Sequence, residues 1–333
     1  MGDTSGIGGT SDSSNTASDI VVEEASAQDE KRWHEGWLDR RGEQWRRHGL
    51  ADDDVAGHLK RLDRMRADAA LRPVWTLRSG EDGVVGYVAA SSPAAPTGRR
   101  VIVDDIWVRP DQRGRGVGGA ARAHVENWAR ANDLPRVAAT IDPNDPAQAG
   151  LFGSYTTSSQ RMQRTLAELP ELPAGLVGRQ MTEAEFPAWR EGSVAGYAEE
   201  IAVARALSPE EALRQADAEF DELLPDGLAT AQHSVWVLET GDEPAGSTYS
   251  AEIWLRHHLE AGRAFVFGVS VVPERRGRGL GRAVMRLGER AVLAAGDSVL
   301  ALNVFGPNTT AINLYTSLGY QITDQSRVLD LTA

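Results

Sequence analysis

The sequence predicts an α+β fold built twice, as two tandem domains that are each a mixed, mostly antiparallel sheet flanked by helices. Three observations carry this. The loop Arg113-Gly-Arg-Gly116-Val-Gly118 recurs as Arg276-Gly-Arg-Gly279-Leu-Gly281, each copy after a strand-like apolar run and a proline and before an amphipathic helix-like run. Both loop arginines and both prolines, Pro110 and Pro273, lie 163 residues apart, and the same offset sets Leu314 on Leu151 and Tyr315 on Phe152. Repetition of a whole context, unlike that of a Gly-rich hexapeptide, marks a duplication. The length of 333 residues exceeds one ordinary core and suits two domains.

Residues 1–18 are Gly/Ser/Thr/Asp-rich with almost no apolar side chains, and are expected to be a disordered tail. The first domain is placed at 19–168. It opens with a short strand at Ile20-Val21-Val22, and Ser26 to Asp29 has the pattern of a helix start. Helices follow at about Glu30 to His48 and Asp53 to Ala69. Val74 to Leu77 and Val84 to Val88 read as strands around the turn Ser79 to Gly83, and Val101 to Val108 as the strand entering the loop. A helix then runs to about Ala131, before a strand at Val137 to Ile141.

Leu166 to Gly175 is proline-rich and reads as the interdomain connection, with the linker proper at 169–175 and the second domain at 176–333. There Thr182 to Glu185 repeats the capping pattern, and Ser208-Pro209-Glu210-Glu211 is a helix start with proline at its first position. Strands are expected at Val235 to Leu238, Gly246 to Ile253, Ala264 to Val272 and Val299 to Val304. Trp33, Trp37 and Trp45 are expected to pack from one helix onto the sheet.

Composition narrows the function. There is no cysteine, which excludes disulfides, zinc thiolates and thiol nucleophiles. A formal charge of −13 argues against a nucleic-acid partner and suits a cationic or neutral substrate. No apolar run is long enough to span a bilayer, and the N-terminus has no signal-peptide pattern, so a cytoplasmic protein without a membrane partner is expected. The seven histidines show no metal-ligand spacing, and no metal is expected.

A strand that stops at glycines and restarts as a helix presents backbone N–H groups at a positive helix end, a seat for a diphosphate. The Rossmann fingerprint GxGxxG occurs in the first copy only, because Arg282 stands where Gly119 would recur. A P-loop is excluded, since no Lys-Ser/Thr follows either run. What both copies share, R-G-R-G-hydrophobic-G, resembles the acyl-CoA-binding motif Q/R-x-x-G-x-G/A of the GNAT superfamily of N-acetyltransferases. The resemblance extends to Asn303-Val-Phe-Gly-Pro-Asn308-Thr-Thr-Ala311-Ile-Asn-Leu314-Tyr315-Thr-Ser-Leu318-Gly319-Tyr320, similar to that family's closing segment N-x-x-A-x-x-L-Y-x-x-L-G-F/Y.

The resemblance implies acetyl-CoA as cosubstrate, with its pyrophosphate on main-chain amides. In the second copy these belong to Val271 and to the run Arg276, Gly277, Arg278, Gly279, Leu280, Gly281 and Arg282, with Asn308 at the pantetheine. In the first they belong to Val108 and to Arg113, Gly114, Arg115, Gly116, Val117, Gly118 and Gly119. It implies direct attack by a primary amine on the thioester, with Tyr315 as the acid that protonates the leaving thiolate. The base is open. The strand Val266 to Val271 carries no acid, and Glu252, Glu199 and Glu200 are the substitutes within reach.

The first copy has Asp104 and Asp105 on its strand, but Phe152 replaces the tyrosine, Asp145 the asparagine and Thr156 the glycine. It is expected to keep the nucleotide loop with weak or no transferase activity, Tyr155 being a minor candidate for the missing acid. One working half of two is similar to the mycothiol synthases, a two-domain branch of the superfamily. The leading expectation is an acetyltransferase acting on a small-molecule amine through its C-terminal domain, as a monomer or homodimer. The alternatives are a non-catalytic acyl-CoA-binding or sensing module, a mycothiol synthase-like acetyltransferase, and activity in both domains.

Overall fold

A computed structural model of the protein describes residues 20–80, 82–94, 99–205, 207–240, 249–306 and 308–332. The expected disordered tail therefore lies outside the described residues. The first half comprises β1 (Ile20–Glu24), α1 (Ala27–Arg47), α2 (Asp52–Ala67), β2 (Val74–Ser79), β3 (Gly83–Ser91), β4 (Val101–Val108), α3 (Val117–Ala131), β5 (Arg136–Ile141), α4 (Pro146–Leu151) and β6 (Thr156–Thr165). The second comprises β7 (Leu176–Gln180), α5 (Phe186–Arg205), α6 (Pro209–Leu223), β8 (His233–Thr240), β9 (Ala251–Glu260), β10 (Arg263–Val271), α7 (Leu280–Ala294), β11 (Val299–Phe305), α8 (Thr309–Ser317) and β12 (Gln321–Asp330).

Helix starts follow local chemistry. Ser26 Oγ accepts from Asp29 N at 3.2 Å. Ser208 and Glu211 close a reciprocal capping box, with Pro209 in the first turn where its missing N–H costs nothing. The expected strand at Gly246 to Ile253 is corrected: the strand runs Ala251–Glu260, and 246–248 lie outside the described residues. Ala251, Ile253 and Leu255 face one core and the intervening Trp254 another, as the pleat requires. It carries His257 and His258. The strand β6 and the short helix α4 had no sequence signal strong enough to place them.

All twelve strands form one sheet in the order β1-β2-β3-β4-β5-β12-β6-β11-β10-β9-β8-β7. Among the described residues, only β4–β5 and β10–β11 are parallel. The halves are not closed units. Each leaves one strand's width between its outer parallel strand and its own last strand, and the last strand of the other half fills it. Thus β12 pairs with β5 and β6, while β6 pairs with β12 and β11.

Helices cover both faces. On one face α1 sets Trp33 and Trp37 against Val74, Tyr87 and Ala89, and α5–α6 cover Val235, Val237 and Trp254. On the other, α3 covers Leu77, Val85 and Val88, and α7–α8 cover Leu238, Ala251, Ile253 and Leu255. Trp33 and Trp37 stack at 5.1 Å between centroids, whereas Trp45 leaves that face for His58.

Candidate active site

The site is built where each parallel pair comes apart. β4 and β5 pair only over Val101–Val103 and Val137–Ala139, yet β4 continues to Val108. β10 and β11 pair only over Arg263–Val266 and Val299–Leu302, yet β10 continues to Val271. A bulge starts each divergence. Asp104 falls in the register shift between Val103 and Asp105, and Phe267 in the shift between Val266 and Gly268. Bulges of this kind bend and re-aim a strand, and these two sit 163 residues apart. Each half therefore has a V-shaped gap open to both faces.

At the end of each gap stands the glycine loop. Gly114, Gly116, Gly277 and Gly279 have φ of 74, 84, 76 and 78°, a left-handed backbone that favours glycine. Gly116 and Gly279 cap α3 and α7 without any side-chain bond. The first helical bonds run from Ala120 N to Gly116 O and from Ala283 N to Gly279 O. The amides of Val117, Gly118 and Gly119, and of Leu280, Gly281 and Arg282, are thus left at the positive helix end. A Cβ built on Gly114, Gly119, Gly277 or Gly279 would meet nothing within 4 Å, so the approach is open. Both cradles fit a diphosphate.

The arginines have distinct places. Arg113 Nε donates to Val108 O and Arg276 Nε to Val271 O, both at 3.1 Å, so each ties its loop to the strand end. Arg282 donates to Ser317 Oγ at 2.6 Å and links α7 to α8, Arg115 reaches Gln112 Oε1 at 3.4 Å, and Arg278 is exposed. Glycine also sets helix spacing, since a Cβ on Gly281 would stand 3.1 Å from Leu314.

The neighbouring Tyr315 packs in the same core as Val266 and Leu302, the last pair of β10 and β11 before they part. Its ring is 5% exposed in the core beneath α7, and its hydroxyl has no hydrogen-bond partner among the described residues. Burial, with the Glu200 carboxylate second, pushes its pKa up to about 12. Glu200 belongs to α5, on the opposite face of the sheet. Three other phenols are engaged: Tyr155 donates to Glu126, Tyr197 to Glu219 and Tyr320 to Glu289. Tyr155 is thereby a core residue of the first half, beside Phe152. Asn308 Oδ1 caps α8 through Ala311 N at 3.0 Å, which leaves its amide nitrogen for a ligand.

The carboxylates differ between the halves. Asp104 is buried, held by Arg66 and by Ser91 Oγ at 2.8 Å. Burial outweighs these partners and raises its pKa. Asp105 accepts from Trp33 Nε1 at 3.1 Å and Arg40 Nη2 at 2.5 Å. Both acids on that strand are thus committed to structure. In the second half Glu252 lies directly across from Ser270, on the face covered by α5–α6. Burial raises its pKa, against a hydrogen bond from Ser270 that lowers it. Glu200 is also raised by desolvation although its side chain reaches solvent, and Glu199 is exposed.

Sequence reasoning missed Arg66, which neutralises Asp104, and it missed that Arg41 and Gln44 extend the α1 face on which Trp33 and Trp37 were expected. The i, i+4 spacing of Trp33, Trp37 and Arg41 was the available signal. Among the described residues no cluster of His, Asp and Glu could hold a metal, and no helix is long and apolar enough to cross a membrane.

Paired strand–loop–helix cradles beside splayed parallel strands define a tandem acyltransferase fold. The pattern of the acetyltransferase (GNAT) family matches residues 23–152 and 200–320, and the chain belongs to that family. It is an acetyltransferase with two such regions. It is similar to the mycothiol acetyltransferase of Kineococcus radiotolerans, 32% identical over 72% of this chain and 76% of the relative. It is also similar to the uncharacterized N-acetyltransferase YycN of Bacillus subtilis, 30% identical over 43% of this chain and 91% of the relative. Among solved structures, a GCN5-related N-acetyltransferase from Sphaerobacter thermophilus matches over 95% of this chain and 97% of its own, with TM-score 0.52 and 15% identity. That match speaks to the fold.

Proposed function

We propose that the chain moves an acetyl group from acetyl-CoA to a primary amine of a small molecule, with the chemistry in the second half. The observation that carries this reading is Tyr315, buried at the parting of β10 and β11 with its proton uncommitted. The loop amides from Leu280 to Arg282 hold the diphosphate, and the pantetheine threads the gap toward Val266. The amine enters from the α5–α6 face, where Glu252 stands across from Ser270. Glu252 takes the ammonium proton, directly or through water, a task its raised pKa suits. The neutral amine attacks the thioester carbon, the C–S bond breaks, and Tyr315 protonates the thiolate. The first half lacks this pairing, with Phe152 at the acid position and Asp104 locked to Arg66.

The relatives named mycothiol acetyltransferase make their acceptor the first to assay, ahead of amino acids, polyamines and amino sugars. CoA release with an amine panel, compared between wild type and Tyr315→Phe, tests the reading. Acetyl-CoA binding without turnover on any amine would replace it by a non-catalytic acyl-CoA module. Turnover unchanged in Tyr315→Phe at every pH would remove the acid assignment.

A further inference from the structure

The cleft of the first half, about 770 Å³, runs from the loop Arg113–Gly119 along β4 to the side chains of α1. We propose that it takes a coenzyme A thioester whose acyl group ends in a carboxylate, gripped by Arg41 and Gln44. This rests on the reading that the loop seats the CoA diphosphate.

A thioester with its diphosphate on Val117 to Gly119 lays its acyl end where β4 and β5 part, at the bulge of Asp104. From the far side α1 reaches that point. Trp37 Nε1 donates to the Asp104 carbonyl at 3.2 Å, and Arg41 Nη2 lies 3.5 Å from the same oxygen. Arg41 Nη1 donates to Gln44 Oε1 at 3.0 Å. Gln44 is only 6% exposed, and its Nε2 is buried with no hydrogen-bond partner among the described residues. A guanidinium whose acceptors are an amide and a backbone carbonyl thus sits beside a buried donor with nothing to bond.

Donors left unmatched in a protein interior are disfavoured until an acceptor arrives, and a guanidinium with an adjacent amide suits a carboxylate. The acids around the cleft are already matched: Asp104 by Arg66, with Arg41 only a smaller, through-space influence on it, Asp105 by Arg40, and Asp145 as the cap of α4. Glu43 and Arg47 are exposed at the rim, and Arg113 is tied to Val108. A methyl-terminated acyl group offers Gln44 nothing, whereas a dicarboxylic acyl group satisfies it and the Arg41 charge together.

The test is calorimetric titration of the whole chain with succinyl-CoA and butyryl-CoA, which share a four-carbon acyl group and differ by one carboxylate. One site should bind succinyl-CoA about tenfold or more tighter than butyryl-CoA, as a charge-assisted pair provides. Arg41→Met should abolish that preference while leaving butyryl-CoA within about twofold, since the lost pair reads only the carboxylate. Gln44→Leu, which removes the same donor without touching a charge, should weaken it.

Gly119→Glu places a carboxylate on an open, helix-compatible position beside the phosphate seat, where it favours the helix end and repels the ligand. It should abolish the succinyl-preferring site. Equal affinities in wild type, or a preference surviving both α1 variants, would overturn the acyl assignment. Unchanged succinyl-CoA binding in Gly119→Glu would overturn the loop assignment instead. Arg41-dependent binding of free succinate to the acetyl-CoA-loaded chain, with no gain for succinyl-CoA, would assign the carboxylate to an acceptor and overturn the proposal.

Discussion

Replacing Tyr315 by phenylalanine removes one oxygen from a side chain that is 5% exposed and packed 6.0 Å from the ring of Tyr320. The ring still fills its place, and no described hydrogen bond is lost, so packing and acetyl-CoA affinity should survive. Turnover should fall by about 10²–10⁴, the usual worth of a positioned acid. Stability supplies an independent reading. The folded chain holds the phenol at about 12 against about 10 in the unfolded chain, which favours the neutral form in the fold.

That contribution is complete below pH 10 and disappears as pH rises through 12, amounting to about 2–3 kcal/mol. Tyr315→Phe has no such titration. Its unfolding free energy relative to wild type should therefore improve by about that amount between pH 9 and 12. Urea melts followed by fluorescence, with CoA release measured on the same preparations, check both halves of the prediction. A variant with full turnover, or one whose alkaline loss of stability parallels wild type, would show that the phenol is neither the acid nor desolvated.

Glu252→Gln should lower kcat by about 10²–10⁴ and abolish the acid limb of the pH–rate profile. In wild type that limb lies above the ordinary carboxylate range, because burial raises Glu252 and the base form accumulates only as pH climbs. Arg164→Met leaves Glu289, 1% exposed, with the Tyr320 hydroxyl as its hydrogen-bond partner, and should lower stability by about 1–2 kcal/mol in a denaturant melt, less than for a fully buried pair because a third of the Arg164 side chain faces solvent. Gly306→Ala sets a Cβ 2.0 Å from Thr157 O and should push β11 from β6, lowering the melting temperature with no effect expected on the loops. Fragments separated at the linker should each leave an unfilled strand position, so that neither is a well-behaved monomer while a mixture gives a 1:1 complex by light scattering.

The cradles were legible because their requirements are local. Glycines at left-handed positions, a preceding proline and a following amphipathic run are written within a dozen residues, so both loops, the bounds of β4 and the end of α3 follow from sequence. Tyr315 was legible through the Leu-Tyr pair, whose leucine reaches Gly281. The carboxylates were less so. Asp104 and Asp105 read as free acids on a strand until Arg66 and Arg40, 38 and 65 residues away, are folded onto them. Glu252 stands opposite the acid-free strand rather than on it, and only the β9–β10 register brings it to Ser270.

The exchange of final strands was invisible for a different reason. The 163-residue offset makes β6 and β12 equivalents, so a strand complementary to the edge of β5 also resembles one complementary to β11. Pattern alone cannot choose between pairing within a half and pairing across. Geometry chooses. α4 and α8 carry the chain past one strand position, about 4.8 Å, before it re-enters the sheet, so each half's last strand lands one place too far to reach its own β5 or β11. The vacant place must be filled to satisfy two rows of backbone donors and acceptors, and the equivalent strand of the other half is the segment already shaped for it. The consequence reaches the chemistry: β6 of the first half is the hydrogen-bonded neighbour of β11, the outer wall of the gap facing Tyr315. The second half's cleft is therefore held to width by a strand from the first, a structural reason for the chain to keep both halves even where only one is proposed to transfer acetyl groups.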